Sequence, residues 1–247
     1  MGLISSGLTD IGQKRKTNQD SIYLNPDKNI FVVADGMGGH NGGDIASQMA
    51  VNLIPAHLLE NMGKDPKQAL SQSVVYANNE IKKKSDQDQL LQGMGTTVVG
   101  FYFKGDTLYI SNVGDSRAYL VNRNKLFQLT KDHSLVQEKL NLGIYNREQA
   151  ANDPQKNVLV RTVGFEADVE VDIFSYKVSK GDIFLSCSDG LHGKVSDADI
   201  VYIINKYIPD PAKATPETVQ QTVTTLVAQA NANGGNDNIS VIVVVAQ

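Results

Sequence analysis

Hydrophobic and polar positions along the chain follow two periods. Runs rich in Val, Ile, Tyr and Phe recur at 21–24, 30–34, 96–103, 107–112, 118–121, 170–176, 183–187 and 239–245. β-Branched and aromatic side chains suit a pleated, half-buried surface, so these runs predict strands. Tight turns such as Lys104-Gly105-Asp106 and Lys180-Gly181-Asp182 join several of them, and connections that short favour antiparallel neighbours. The second period is helical. Leu70, Val74, Ala77 and Ile81, and again Val219, Val223, Leu226 and Ala230, are spaced 4, 3, 4, which puts each set on one face of a helix. A third helix is predicted over 44–60, where Ile45, Met49 and Leu53 adjoin the row Ala46, Ala50 and Ile54. A fourth follows Ser196 as its N-cap and turns Ile200, Ile203, Ile204 and Tyr207 inward.

Amphipathic helices need sheet faces to cover. The run 239–245 is apolar at every position but Ser240, so it predicts an inner strand covered on both faces. A sandwich of two mainly antiparallel sheets flanked by helices meets both demands. A chain of 247 residues fits a single domain. The polar stretch 141–157 between structured regions is expected to form a small mobile flap.

Composition then removes several functions. The hydrophobic share of 41% and charged share of 20% describe a chain that folds. A net charge of −4 gives no general attraction to nucleic acid or anionic lipid. Lys82-Lys83-Lys84 closes a predicted helix and reads as a solvated helix end. Cys187 is the only cysteine, which excludes an internal disulfide framework and a thiolate zinc site and fits a reducing cytoplasm. The opening MGLISSGLTD lacks the pattern of a signal peptide. No run approaches the ~18 apolar residues of a membrane span.

Five aspartates stand beside apolar runs or turn glycines: Asp20, Asp35, Asp115, Asp189 and Asp237. Each alone reads as a turn residue. Together they read differently, because strand ends of a sandwich converge on one edge, and carboxylates gathered there repel unless protonated or neutralised by cations. All-oxygen ligands select Mg²⁺, Mn²⁺ or Ca²⁺ over zinc or copper. Gly36, Gly38 and Gly39 would let backbone approach an ion closely. The run carries neither the Gly-Lys-Ser/Thr of a P-loop nor the spacing of a dinucleotide fold.

These residues belong to seven strings that occur in order along nearly the whole chain. They are TDIGQKRKTNQD ending at Asp20, Asp35-Gly36-Met37-Gly38-Gly39-His40, Gly95-Thr96-Thr97, Gly114-Asp115-Ser116-Arg117, Thr130-Lys131-Asp132-His133-Ser134, Ser188-Asp189-Gly190-Leu191 and Asp237-Asn238-Ile239-Ser240. The set resembles the bacterial branch of the PP2C (PPM) family of metal-dependent serine/threonine protein phosphatases. The resemblance implies an α+β fold, a four-layer α-β-β-α sandwich with a metal centre in a cleft at one end.

It further implies two Mn²⁺ or Mg²⁺ ions. Asp35 would bridge them, the Gly36 carbonyl would bind the first, and Asp189 with Asp237 the second. Asp115 and Asp189 would hold a weaker third ion. Asp20 would hydrogen-bond metal-coordinated water, and Arg15 would clamp the substrate phosphate with its planar fork. Expected partners are phosphorylated proteins, a Ser/Thr kinase and its targets, acted on by a monomer. Two departures bear on mechanism. Met37 stands where many eukaryotic members have a histidine, and Gln19 where some have a glutamate ligand.

Other candidates carry less. His40 could lie near the cleft, cap the following helix or face solvent, and Asn238 accompanies Asp237 without an assigned role. His133 is expected to be structural, as are His57 and His192 unless they face solvent. Arg117 and Arg161 are expected to form internal ion pairs, and Cys187 to be a buried strand residue. Beside the active phosphatase stand two further readings. One is a catalytically silent binding module, whose mark would be a lost metal aspartate. The other is a hydrolase of small phosphomonoesters on the same centre.

Overall fold

The computed structural model describes residues 2–38, 42–122 and 124–247. In chain order these form β1 (Leu3–Asp10), β2 (Asp20–Asn25), β3 (Ile30–Met37), α1 (Gly43–Glu60), α2 (Pro66–Gln87), β4 (Gly95–Thr96), β5 (Val98–Lys104), β6 (Thr107–Val113), β7 (Arg117–Asn122) and β8 (Lys125–Gln128). The chain continues through α3 (Leu135–Asn141), α4 (Arg147–Asn152), β9 (Asp172–Lys177), β10 (Ile183–Cys187), α5 (Asp189–His192), α6 (Asp197–Tyr207), α7 (Pro216–Ala232) and β11 (Ile239–Ala246).

The helices start where local chemistry directs. Asp65 accepts the Lys67 and Gln68 amides ahead of α2, whose first residue is Pro66. Ser196 accepts the Asp199 amide ahead of α6, as its N-cap position predicts. Thr215 and Thr218 form a reciprocal capping box at α7.

One sheet runs β1-β11-β10-β7-β8 and the other β2-β3-β5-β6-β9, with β4 paired to β3. Every pairing is antiparallel. Helices α1 and α2 cover the outer face of the second sheet through Ala46, Ile54, Leu70, Val74 and Ile81. Helices α6 and α7 cover the first sheet through Ile200, Ile204, Val219, Val223 and Leu226. Between the sheets pack Phe31, Val33, Phe101, Ile110, Leu120 and Phe184. The four-layer sandwich expected from the sequence is the observed architecture.

Strand β11 shows the logic most directly. Val241, Val243 and Val245 face the helices, while Ile242 and Val244 face the opposite sheet. All are fully buried, each contributing about 1.5–3 kcal/mol by leaving water. Its outer neighbour β1 pairs along its whole length, from Leu3 opposite Ala246 to Asp10 opposite Ile239. Beyond the ladder, the amides of Gly2 and Gln247 donate to each other's carbonyls at 3.1 and 2.9 Å.

Several elements differ from the sequence reading. The run 96–103 is interrupted at Thr97, whose amide donates to the Asp35 carbonyl at 2.8 Å while its hydroxyl accepts the Asp35 amide. The break hands Thr96 to β3 and 98–104 to β5. Strand β1, reading LISSGLTD, lacks an alternating pattern because it is only partly buried. Strand β8 and helices α3, α4 and α5 are too short for periodicity to register. Helix α4 lies within the polar segment 141–157, and Asn146 opens it with a capping box.

Candidate active site

The sandwich brings the ends of six strands to one edge. Asp20 opens β2 directly opposite Asp35, near the end of β3. Asp189 follows β10 and Asp237 precedes β11, two neighbouring strands. Asp115 lies in the turn from β6 to β7. A cavity of about 350 Å³ is lined by Asp35, Asp115, Asp189 and Asp237, with Arg15, Gln19, Gly36 and Asn238 in its walls. The geometry thus converges the aspartates as their strand-end positions suggest. Asp20 stands just behind, buried.

Their electrostatics follow from that crowding. Burial raises the pKa of Asp35 well above the ordinary 3.8, and the charges of Asp20, Asp189, Asp115 and Asp237 raise it further. Asp189 is raised by burial and by Asp237. Burial and the Asp189 charge push Asp115 up to about 7. Asp20 is pushed up to about 6 by burial, against the hydrogen bond from Ser188 that lowers it. This is the behaviour of acids held together in a poorly solvated space. Arg15 answers part of the charge: its Nη2 lies 2.6 Å from Asp237 Oδ2. That hydrogen bond is the main reason the Arg15 guanidinium holds its proton more firmly than usual.

Supporting bonds fix the carboxylates. Ser188 Oγ donates to Asp20 Oδ2 at 2.7 Å and itself accepts the Ser240 amide. Asn18 Oδ1 accepts the Asp20 amide. Asn238 Oδ1 accepts the Gln19 amide at 2.8 Å, and its Nδ2 donates to the Ile11 and Thr17 carbonyls at 2.9 and 3.0 Å. It thereby ties the loop bearing Arg15 to the start of β11. Gly36 and Gly190 are required where they stand. A Cβ on Gly36 would collide with the Gly43 carbonyl, and one on Gly190 with the Asn238 carbonyl.

The donor set bears on which ion could be held. Asp20 Oδ1 is buried without a protein partner, and the carboxylates around the cavity are hard oxygen donors. Among the described residues no group of three or more His, Cys, Asp or Glu forms a cage able to hold an ion unaided. Mg²⁺ and its relatives characteristically take one or two carboxylates and complete their shells with water. The oxygen donors that line the cavity fit such ions in kind.

The remaining candidates separate clearly. His40 lies outside the described residues. Met37 lines the cavity. His133 is structural: its Nδ1 accepts the Gly114 amide at 3.1 Å and its Nε2 faces Asp172. His57 stacks on Tyr76. His192 Nε2 meets the Asp115 carbonyl, and burial pushes its pKa down to about 3. Arg117 grips Asp132 through Nε and Nη2, and Arg161 pairs with Glu170 and Asp172. Cys187 is fully buried in β10, and burial raises its thiol far from reactivity. Ser188 and Thr97 carry no chemical signal of their own in the sequence. Their side-chain bonds to Asp20 and Asp35 join residues 168 and 62 apart, and only their presence inside two of the seven strings marks them.

This fold and this aspartate edge define a family. The family model for protein phosphatase 2C matches residues 12–238, and the chain belongs to that family. Among individual proteins it is similar to the serine/threonine phosphatase stp of Listeria innocua. The two are 38% identical over 243 residues, which is 96% of this chain and 93% of the relative. The crystal structure of the Mycobacterium tuberculosis serine/threonine phosphatase PstP/Ppp superposes with a TM-score of 0.90 at 33% identity, covering 100% of both chains. A structure of the PstP catalytic domain in complex with two manganese ions matches with a TM-score of 0.84 at 32% identity, over 98% of this chain and 97% of that one. No helix among the described residues is long and apolar enough to cross a membrane.

Proposed function

We propose that this chain hydrolyses phosphoserine and phosphothreonine esters in proteins at the aspartate-lined cavity. The observation that carries the reading is the convergence of Asp35, Asp115, Asp189 and Asp237, with Arg15, around one space. The similar PstP domain binds two manganese ions, which supports two Mn²⁺ or Mg²⁺ here. Asp35, the Gly36 carbonyl, Asp189 and Asp237 would hold them, and Asp115 with Asp189 a third. Such ions supply a low-pKa water as nucleophile and neutralise the phosphoryl charge.

The chain's own groups do the rest. Arg15, half exposed at the rim, exchanges its bond to Asp237 for the phosphoryl oxygens and fixes them with two parallel donors. Asp20 keeps one oxygen on Ser188 and presents the other, Oδ1, as an acceptor that orients the attacking water. Gln19 is neutral where a carboxylate would add negative charge. Attack in line needs no phosphoenzyme, which agrees with the inert, buried Cys187. A Ser/Thr kinase whose products are the substrates, action as a monomer and a cytoplasmic setting belong to the same proposal.

The test is turnover of a phosphothreonine peptide and of p-nitrophenyl phosphate with Mn²⁺, Mg²⁺ or EDTA, beside Asp35→Ala and Asp189→Ala. Metal-dependent turnover lost in both variants supports the reading. A folded wild type inactive with every metal refutes it.

A further inference from the structure

A second cavity, of about 470 Å³, adjoins the aspartate edge and shares Asp115, Asp189 and Asp237 with it. Its remaining walls are of different chemistry. One side is formed by α3 and α4 with the turn after them, contributing Val136, Leu140 and Ala150 as an apolar lining. The same side brings Arg147, the first residue of α4, and Lys156. The segment just beyond α5 brings Lys194.

These three cations differ from the others nearby. Arg117 is committed to Asp132 and Tyr119, Lys139 to Asp153 and Tyr145, and Arg161 to Glu170 and Asp172. Among the described residues Arg147, Lys156 and Lys194 form no ion pair with a carboxylate. The cavity is therefore bipolar: Asp115, Asp189 and Asp237 lie on the side it shares with the aspartate edge, and Arg147, Lys156 and Lys194 supply positive charge elsewhere on its walls. An exposed lysine alone is usually just a solvated group. Three uncommitted cations around a concave space of ligand-site size, continuous with a phosphoryl site, form a receptor for an anion.

We propose that this cavity is a specificity subsite for an acidic side chain near the phosphorylated residue of the substrate. The inference rests on the phosphatase reading above. A peptide whose phosphoester enters the aspartate edge continues into the shared opening. A neighbouring Glu or Asp then lays its methylenes on Val136 and Leu140 and its carboxylate among Arg147, Lys156 and Lys194. The subsite offsets the repulsion that the aspartate edge exerts on an acidic peptide. A second phosphate offers the same chemistry, and the test separates the two sources.

The experiment compares kcat/KM for phosphothreonine peptides that differ only at flanking positions, carrying Glu, Gln, Lys or phosphoserine. It uses the full chain with Mn²⁺, in wild type and in Arg147→Gln, Lys156→Gln and the triple variant with Lys194→Gln. Partly exposed ion pairs contribute roughly twofold to fivefold each, so Glu is expected to exceed Gln by about fivefold to tenfold, mainly through KM, with Lys below both. The preference should shrink with added salt and vanish in the triple variant. Turnover of p-nitrophenyl phosphate, which has no flanking residue, should stay unchanged and so report folding and chemistry. Phosphoserine exceeding Glu, with the excess lost in the triple variant, would assign the subsite to a second phosphate and overturn the carboxylate assignment. Equal kcat/KM for Glu, Gln and Lys peptides, with p-nitrophenyl phosphate turned over normally, would overturn the subsite altogether. Loss of turnover on every substrate in wild type would instead fail the phosphatase reading.

Discussion

Replacing Asn238 with alanine removes three hydrogen bonds at once, those to the Gln19 amide and the Ile11 and Thr17 carbonyls. Asn238 is only 5% exposed, so the groups left behind lose their partner in a poorly solvated place. A buried polar group left unsatisfied costs about 1–3 kcal/mol. The loop is open on its outer side, where Ile11 is 39% exposed, and water recovers part of that cost. The expected total is about 2–4 kcal/mol, a large share of the ~5–15 kcal/mol that holds a domain folded. Asn238→Asp should do no better, since it keeps an acceptor for Gln19 but turns a carboxylate oxygen toward two carbonyls. Equilibrium urea unfolding measures this as a lower midpoint at unchanged slope. Because the loop carries Arg15, kcat/KM on a phosphopeptide should fall at least ~10-fold, the equivalent of 1.4 kcal/mol. Both variants lying within ~0.5 kcal/mol of wild type, the range of ordinary surface substitutions, would refute the clamp.

Three further outcomes follow from other positions. Arg117→Ala leaves the Asp132 carboxylate, whose side chain is 10% exposed, with the neutral Gln128 Nε2 donor in place of the guanidinium fork, and should cost about 1–3 kcal/mol in urea unfolding, below the range for stranding a buried charge. Gly190→Ala drives a Cβ into the Asn238 carbonyl and should cost about 1–3 kcal/mol, with loss of metal-dependent turnover because Asp189 must shift. Burial, aided by the Arg161 guanidinium and opposed by Asp172, holds His133 below the ordinary 6.5. The unfolded chain therefore takes up that proton first as pH falls. His133 stability is fully present above pH 6.5 and lost as pH drops below it, so the wild-type advantage over His133→Asn in urea should shrink from pH 7.5 to 5.5. A constant difference would count against it.

The long, strongly patterned elements were legible because their burial is one-sided or complete. Leu70, Val74, Ala77 and Ile81 are all buried along one face of α2, so a spacing rule finds them. Strand β1 escaped because Ser5, Ser6 and Gly7 carry little hydrophobic signal, and its place is set by the ladder with β11. The break at Thr97 is a response to Asp35, a residue distant in sequence, and no local window contains it. The same division holds at the candidate active site. Strand-end aspartates announce themselves by the apolar runs or glycines beside them, whereas the second cavity draws Arg147, Lys156 and Lys194 from separate segments and has no motif.

The reciprocal bonds between Gly2 and Gln247 place residues 2 and 247 side by side at one end of the β1–β11 ladder. Asp10 and Ile239 mark the other end, where Arg15 and Asp237 begin the aspartate edge. The eight paired residues make seven steps of about 3.4 Å, which separate the two ends by roughly 24 Å. A fusion partner attached at either residue would hang from the pole opposite the substrate. A short tether joining 247 to 2, with new ends cut at the exposed tip Lys104-Gly105-Asp106, would leave the aspartate edge undisturbed.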